Sequence, residues 1–262
     1  MNRAVESNVI FRDAWDEMNR EAPGFAQRRG GILEASFSGA PMPFFNLAFT
    51  MAPPGSRAEW ASAVDETTEW AGAQGAPWLL VTEPETLGAI KSEAEALLIE
   101  RGFAPMMQLM GMEAGELTEP SRAKPEGTWR TEQDAGAASQ VIRLNEAAYQ
   151  MSFGEPGSLV LEQSNWWRSP ERLFSLLEVD QKPAASTAVF AVDGTRYVAL
   201  VATDPSAQRR GYADAVMRDV LARSLAAGMP QRTYLHATAA GRPVYERMGY
   251  RVTAEHTVWM RA

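Results

Sequence analysis

Residues 208–213, with the sequence QRRGYA, combine residue types and spacing that suit the binding of a phosphate group. An alternating apolar segment precedes them and a helix-periodic segment follows, so the predicted order is strand, loop and helix. Consecutive backbone N–H groups and the positive end of the helix dipole then point at one place, which attracts an anion. Gly211 and Ala213 let a ligand approach the backbone, and Arg209 and Arg210 add positive charge beside it. The sequence therefore predicts a phosphate-binding loop here.

The second half of the chain supplies the elements that must position this loop. Asp193-Gly194 is a strong hairpin signal between two strands, and Gly228 with Pro230 stops the helix that follows the loop. The periodicity predicts strands at 128–132, 174–179, 185–192, 197–203, 233–237 and 251–260 and helices at 135–150, 212–227 and 242–248. Residues 164–167 and those that follow are predicted to form a further helix or a helical turn.

The first half repeats part of this pattern. It predicts strands at 45–50, 78–82 and 106–112 and helices at 58–73 and 86–101. The segment IERGFAPMMQLMGM of the first half matches YERMGYRVTAEHTVWM of the second, which indicates a tandem repeat. Residues 113–127 have the composition of a linker. We therefore predict two domains, at 1–124 and 125–262.

Composition excludes several classes of protein. The 262 residues are 45% hydrophobic, which is enough for a globular core, and a net charge of −8 argues against a nucleic-acid surface. The absence of cysteine excludes disulfides, thiolate metal sites and a cysteine nucleophile, and two histidines argue against a metal centre. Without a signal peptide or an apolar run of about 20 residues, we expect a cytoplasmic monomer or homodimer without membrane partners.

The second half resembles the GNAT acetyltransferase superfamily in the order of its elements and in two motifs. The family's loop pattern Gln/Arg-x-x-Gly-x-Gly/Ala is met by Gln208, Gly211 and Ala213. Its tyrosine four residues before Gly-Phe/Tyr is met by Tyr245 before Gly249-Tyr250. The resemblance covers residue 128 to the C-terminus. It implies a mixed α/β (α+β) fold of two tandem GNAT-like domains, each a mostly antiparallel twisted sheet flanked by helices.

The resemblance also implies acetyl-coenzyme A as co-substrate and no metal. The pyrophosphate would lie on the loop amides, and the pantetheine arm would pair with the splayed edge of the preceding strand as an added strand does. Such binding holds the thioester at a fixed distance from the incoming amine. The coenzyme-binding residues implied are Val201, Ala202, Thr203, Gln208, Arg209, Arg210, Gly211, Tyr212, Ala213 and Thr238.

Acyl transfer to an amine needs a neutral amine, a stabilised carbonyl oxygen and a proton for the departing thiolate. On the family's pattern Tyr245 donates that proton, while a tyrosine that only packs near the coenzyme is the alternative. The backbone N–H near Val201 would polarise the thioester carbonyl. No general base stands out: Glu178, His236 and Glu246 are candidates, and each also has a structural interpretation. In this family a relay of water can remove the proton.

The acceptor is predicted to be a small-molecule or peptide amine. Aromatic residues near the predicted pocket would hold a cationic amine by cation–π contact, with core packing as the alternative use. These candidate substrate residues are Tyr149, Phe153, Trp166 and Trp167.

The first half lacks the same chemistry. When the two halves are aligned on Gly102-Phe103 and Gly249-Tyr250, Leu98 falls at the position of Tyr245. In the loop at 51–60, two prolines remove N–H donors, Glu59 opposes an anion, and Trp60 fills the space that Ala213 leaves open. We therefore expect a degenerate first domain and one acetyl-coenzyme A site per chain.

Three functions follow from this sequence. The first is an N-acetyltransferase that works by direct transfer in a ternary complex. The second is a non-catalytic coenzyme A-binding regulatory module, and replacement of Tyr245 by phenylalanine would discriminate between the two. The third, an N-myristoyl- or aminoacyl-transferring relative, has no specific residue support.

Overall fold

The computed structural model describes residues 2–154, 159–163 and 165–261. The chain divides into two compact units. Unit 1 comprises Met1–Met112, His236–Ala240 and Val252–Ala262, and unit 2 comprises Glu113–Leu235 and Gly241–Arg251. The division into domains 1–124 and 125–262, which rests on the repeat, stays a prediction. Among the described residues, no helix has the length and apolar character that a membrane span requires.

Unit 1 is a mixed sheet with four helices. Its strands lie in the order β1-β2-β3-β4-β11-β5, with β1, β2 and β3 antiparallel, β3 and β4 parallel, and β4 and β11 antiparallel. The strands are β1 Ala26–Arg28, β2 Leu33–Phe37, β3 Asn46–Thr50, β4 Leu79–Thr82, β5 Phe103–Ala114 and β11 Arg251–Arg261. The helices are α1 Arg3–Asn19, α2 Arg57–Gln74, α3 Pro84–Leu87 and α4 Lys91–Glu100.

The sequence predicted part of unit 1. The strands at 45–50, 78–82 and 106–112 and the helix at 58–73 are confirmed as β3, β4, β5 and α2. The single helix predicted at 86–101 is wrong, because Gly88 has a φ of +59° and ends α3 before α4 begins. The sequence did not predict α1, β1 or β2.

Unit 2 is built on a mostly antiparallel sheet in the order β10-β9-β8-β7-β6, in which only β10 runs parallel to its neighbour. Helix α6 covers this sheet and buries Val216 against Leu177 and Ala185. The strands are β6 Thr128–Thr131, β7 Arg172–Val179, β8 Lys182–Val192, β9 Thr195–Thr203 and β10 Thr233–Thr238. The helices are α5 Ala137–Tyr149, α6 Tyr212–Ala226 and α7 Arg242–Arg247.

The predicted elements of unit 2 are confirmed to within a few residues. The turn between β7 and β8 is formed by Asp180 and Gln181, which both have positive φ, and β8 begins at Lys182. Of the helical turn predicted at 164–167, Ser164 lies outside the described residues, and a 3-10 helix spans Trp166–Arg168. In the predicted linker, residues 113–114 complete β5 and residues 115–127 form neither helix nor strand.

Candidate functional site

Strand β9 carries a β-bulge just before its end. Leu200 has a φ of +52°, which a leucine adopts only at a conformational cost. The register between β8 and β9 shifts there: Ser186 pairs with Ala202, whereas Ala188 pairs with Ala199. A bulge redirects the backbone of one strand, so the end of β9 is turned relative to its start.

Helix α5 and strand β8 hold the bulge by hydrogen bonds to its carbonyls. Asn145 Nδ2 donates to the Leu200 carbonyl at 3.2 Å, and Ser186 Oγ donates to the same oxygen at 3.3 Å. The Tyr149 hydroxyl donates to the Val201 carbonyl at 2.8 Å. Asn145 is buried, so its bond to the Leu200 carbonyl is shielded from water and helps to fix the bulged backbone.

The sheet opens beside the bulge. In the described residues β10 pairs with β9 only at Thr233–Arg196 and Tyr234–Tyr197. Beyond Tyr197, the backbone of β9 on that side is left without a strand partner as far as Thr203. An extended amide chain can pair with such an edge as a further strand does.

The loop after β9 ends in an open helix N-terminus. Asp204 caps the 3-10 turn Pro205–Ala207, and α6 begins at Tyr212 after Gly211, which has a φ of +83°. No side chain caps α6, so the N–H groups of its first turn, which have no intrahelical acceptor, face outwards. This arrangement, predicted from residues 208–213, is an anion-binding geometry.

The loop is surrounded by positive charge. Within the described residues, the side chains of Arg209 and Arg210 make no ion pair or hydrogen bond, and Arg122 contacts the loop without a carboxylate partner. The acidic residue of the first turn, Asp214, is already paired with Arg218 at 2.9 Å. The local field at the helix start therefore favours an anion, although the whole chain is acidic.

Tyr245 lies in the short helix α7, whose first turn contains Pro243. Its ring is buried and contacts that of Tyr250, with 6.1 Å between the centroids. Burial raises the pKa of the Tyr245 phenol above its ordinary value, and the neighbouring phenols of Tyr149 and Tyr250 raise it further. Tyr245 therefore keeps its proton at neutral pH, as a proton donor must.

The three candidate bases have structural partners. Glu178 on β7 is paired with Arg130 at 2.8 Å, and the exposed Glu246 is paired with Arg242 at 2.7 Å. His236 is a residue of unit 1, where its ring stacks on Phe11 with 3.7 Å between the centroids. Burial lowers the pKa of His236 well below its ordinary value.

The four acceptor candidates fall into two groups. Tyr149 is 45% exposed at the end of α5, and Phe153 is nearly buried shortly after it. Trp166 and Trp167 are buried, with their rings 4.6 Å apart and with Trp167 Nε1 bonded to the Leu161 carbonyl. Their packing is that of core residues, so Tyr149 is the accessible aromatic side chain of the set.

Most predicted coenzyme residues lie together in unit 2, along the end of β9 and the start of α6. Thr238, at the end of β10, belongs to unit 1, and its role stays a prediction. Sequence reasoning missed Asn145 and Arg122. A buried asparagine within the apolar stripe of α5 was a signal for the first, whereas nothing in the linker composition marked the second.

The corresponding part of unit 1 is closed. Strands β3 and β4 pair at Leu47–Leu79, Ala48–Leu80 and Phe49–Val81, and Thr50 Oγ donates to the Val81 carbonyl at 3.3 Å. Ser56 Oγ caps α2, and the carboxylate of Glu59 accepts from the Gly55 N–H at 2.7 Å. This helix start therefore carries a side-chain cap and a carboxylate of its own, whereas α6 has no side-chain cap.

The comparison with protein families agrees with this geometry. Residues 138–250 match the model of the Acetyltransferase (GNAT) family, so this part of the chain is a GNAT acetyltransferase domain and the protein is an acyltransferase by class. No curated protein matches the chain. In the described residues, no cluster of three His, Asp or Glu side chains is arranged to hold a metal ion.

Solved structures extend the likeness over the whole chain. A GCN5-related N-acetyltransferase from Kribbella flavida has a TM-score of 0.72 at 19% identity, over 100% of this chain and 96% of that chain. One from Sphaerobacter thermophilus has a TM-score of 0.58 at 16% identity, over 87% and 76% of the two chains. A tandem GNAT protein from the clavulanic acid biosynthesis pathway has a TM-score of 0.50 at 12% identity, over 98% and 95%. These likenesses confirm the predicted fold.

Proposed function

We propose that unit 2 transfers an acetyl group from acetyl-coenzyme A to a primary amine by direct transfer in a ternary complex. The observation that carries this proposal is the combination, on one stretch of chain, of a bulged strand end and an uncapped helix start. The open edge of β9 suits the amides of a pantetheine arm, and the N–H groups of residues 208–213 suit its pyrophosphate.

The residues of the site divide the chemistry between them. The N–H near Val201, whose direction depends on the bulge at Leu200, polarises the carbonyl that gains negative charge. Tyr245, whose raised pKa keeps the phenol fully protonated at neutral pH, supplies a proton to the departing thiolate and regains one from water. The exposed ring of Tyr149 borders the place where the amine arrives, and water accepts the proton that the amine loses.

The acceptor is a small-molecule or peptide amine. With ion-paired Glu178 and Glu246, the side chains leave no dedicated base, so an amine with a low pKa is the better substrate because more of it is neutral. We propose one coenzyme site per chain, because unit 1 has a closed β3–β4 pair and a helix start filled by its own Glu59.

The second candidate is a regulatory module that binds coenzyme A without turnover. The same ion-paired carboxylates favour it, since a binding module needs no base. Both candidates predict coenzyme binding, and only the first predicts release of the thiol.

The test is a thiol-release assay with acetyl-coenzyme A across a panel of primary amines that spans amino acids, their derivatives and peptide N-termini. Amine-dependent release above the rate of hydrolysis supports the transferase. Tight coenzyme binding by calorimetry without release for any amine favours the module, and absence of binding contradicts both.

A further inference from the structure

Residues 116–124, which we call the strap, run from the end of α7 to the start of α6. Near the start of the strap, the Thr118 N–H donates to the Met248 carbonyl at 3.0 Å and the Thr118 hydroxyl donates to the Arg247 carbonyl at 2.6 Å. Carbonyls at a helix C-terminus have no intrahelical donor, so Thr118 satisfies two groups that α7 leaves open. Arg218 of α6 donates to the Thr118 carbonyl at 2.5 Å and ties the strap to a second helix.

The Gly-aromatic motif makes room for this strap. Gly249 has a φ of +99°, and a Cβ there would lie 3.3 Å from the Glu116 carbonyl oxygen and from Thr118 Cγ2. The glycine therefore permits both the backbone turn after α7 and the close passage of the strap. At its other end Lys124 pairs with Asp219 at 2.7 Å and lies over the ring of Trp129.

Between these anchors, Arg122 lies on the phosphate loop itself. Its Nη1 donates to the Arg209 carbonyl at 3.3 Å. A Cβ built on Gly211 would be 2.9 Å from Arg122 Cδ and 3.2 Å from Nη1, so the side chain rests against the residue where α6 starts. One weak bond to a carbonyl leaves most of the five N–H donors of the guanidinium free for an anion.

Among the described residues, Arg122 differs from the cations next to it in having no carboxylate partner. Lys and Arg number 25 against 33 Asp and Glu, and the neighbouring Arg218 and Lys124 are both paired with carboxylates. Arg122, Arg209 and Arg210 have no such partner within the described residues, and all three meet at one helix start. Three uncompensated cations match a ligand that carries more than one phosphate group.

We propose that Arg122 is a binding residue for a phosphate group of coenzyme A, delivered to the site by the strap rather than by the strand–loop–helix motif. This inference rests on the proposed coenzyme site and goes beyond it, because it places part of the affinity in the segment that precedes the acetyltransferase domain. The group bound is either the pyrophosphate or the 3′-phosphate, which have the same chemistry toward a guanidinium.

The experiment is calorimetric titration of the full-length chain with coenzyme A. Arg122→Ala weakens binding by about 10- to 150-fold, the range expected when one hydrogen bond to a charged group is lost. Arg122→Lys keeps the charge but not the planar fork and recovers part of the loss. The matched control is Lys124→Ala, which removes a cation of the same strap whose charge Asp219 already compensates. Because this ion pair is exposed and holds the strap only weakly, affinity stays within about twofold of wild type.

Dephospho-coenzyme A identifies the phosphate group. If Arg122→Ala weakens both ligands equally, the residue binds the pyrophosphate; if only coenzyme A is weakened, it binds the 3′-phosphate. Either result supports the proposal, and so does a shallower dependence of affinity on salt in the variant.

Two results overturn the proposal while leaving the coenzyme site intact: wild-type affinity in Arg122→Ala, or an equal loss in Lys124→Ala, which would mean that docking of the strap matters and the guanidinium does not. Absence of binding by the wild-type chain overturns this inference together with the proposed function. Thermal unfolding of each variant verifies that the exposed substitutions leave the fold unchanged.

Discussion

The carboxylate of Glu59 accepts a hydrogen bond from the backbone N–H of Gly55 at 2.7 Å, so helix α2 begins with its own anion in place. Ser56 Oγ accepts from a second N–H of the same helix start. Helix α6 begins instead at Gly211, without any side-chain cap. The start of α2 is thus occupied by side chains of the helix itself, whereas the start of α6 is open to a ligand.

This contrast predicts one coenzyme A per chain. Gly211→Val abolishes binding, because a β-branched residue is strained at a φ of +83° and its Cβ meets Arg122. Arg57→Ala in unit 1 leaves binding unchanged, because Arg57 is engaged with Glu100 at 2.5 Å. Calorimetry gives both stoichiometry and affinity.

Loss of the tight site in Arg57→Ala, or a second site in the wild-type chain, contradicts the assignment of the coenzyme to unit 2. Trp60 is a poorer probe, because it is fully buried with its Nε1 bonded to the Ala94 carbonyl. Its truncation costs about 3–5 kcal/mol of stability and tests folding rather than binding.

Replacement of Tyr245 by phenylalanine separates catalysis from binding. The change removes one hydroxyl and keeps the ring, so coenzyme affinity stays nearly the same while kcat falls by about 10²-fold or more, as for loss of a general acid. Tyr250→Phe is the matched control, because that hydroxyl accepts from Thr233 Oγ at 2.8 Å inside the fold and has no part in the proposed chemistry.

The pH profile adds a second readout. Burial places the pKa of Tyr245 above its ordinary value of 10.0, so no loss of rate from its ionisation is expected below pH 10. An unchanged kcat in Tyr245→Phe would mean that the ring has a packing role only. A wild-type chain that shows no turnover with any amine would favour the binding module.

The loop at 208–213 and the position of Tyr245 were predictable from sequence because their signals are local. A strand, a glycine in the left-handed region and a helix start follow one another within residues 197–213, and each has its own residue preference. Tyr245 lies on the short helix α7, and its spacing from Gly249-Tyr250 was enough to predict its place.

The support of the site was not predictable, because it depends on tertiary contacts. Asn145 bonds to the carbonyl of Leu200, which lies 55 residues later in the sequence, and Arg122 bonds to the carbonyl of Arg209, which lies 87 residues later. The positive φ of Leu200 contradicts the preference of leucine, so only the surrounding hydrogen bonds reveal the bulge. The break at Gly88 was missed because apolar periodicity continues through it.

Acidic pH is expected to destabilise unit 1 through its buried histidines. His256 Nε2 is bonded to Ser7 Oγ at 2.9 Å, and His236 Nε2 shares that hydroxyl at 3.2 Å. Burial lowers the pKa of His256 to about 3. In the unfolded chain the histidine has a pKa near 6.5 and takes up a proton that the folded chain excludes, so the free energy of unfolding falls as pH drops from about 6.5 towards 3.

The expected slope is at most about 1.4 kcal/mol per pH unit for each histidine. Chemical denaturation at pH 7.5 and pH 5.0 measures it, and His256→Gln, which keeps a polar side chain but cannot ionise, has a smaller difference between the two pH values. The same difference in wild type and variant would contradict a neutral, buried His256.

Thr118 is expected to act on coenzyme binding only through Arg122. Thr118→Val has nearly the same shape but lacks the hydroxyl that donates to the Arg247 carbonyl, so the strap is held less firmly and Arg122 is less well positioned. Affinity for coenzyme A then falls by about two- to fivefold in the wild-type background. In the Arg122→Ala background the same substitution has no further effect, because the guanidinium that it positions is gone. A double-mutant cycle measured by calorimetry gives this coupling directly.

Additive losses would mean that Thr118 supports the site by another route, such as the last turn of α7 near Tyr245. An unchanged kcat with a raised KM in Thr118→Val distinguishes positioning of the strap from disturbance of that helix.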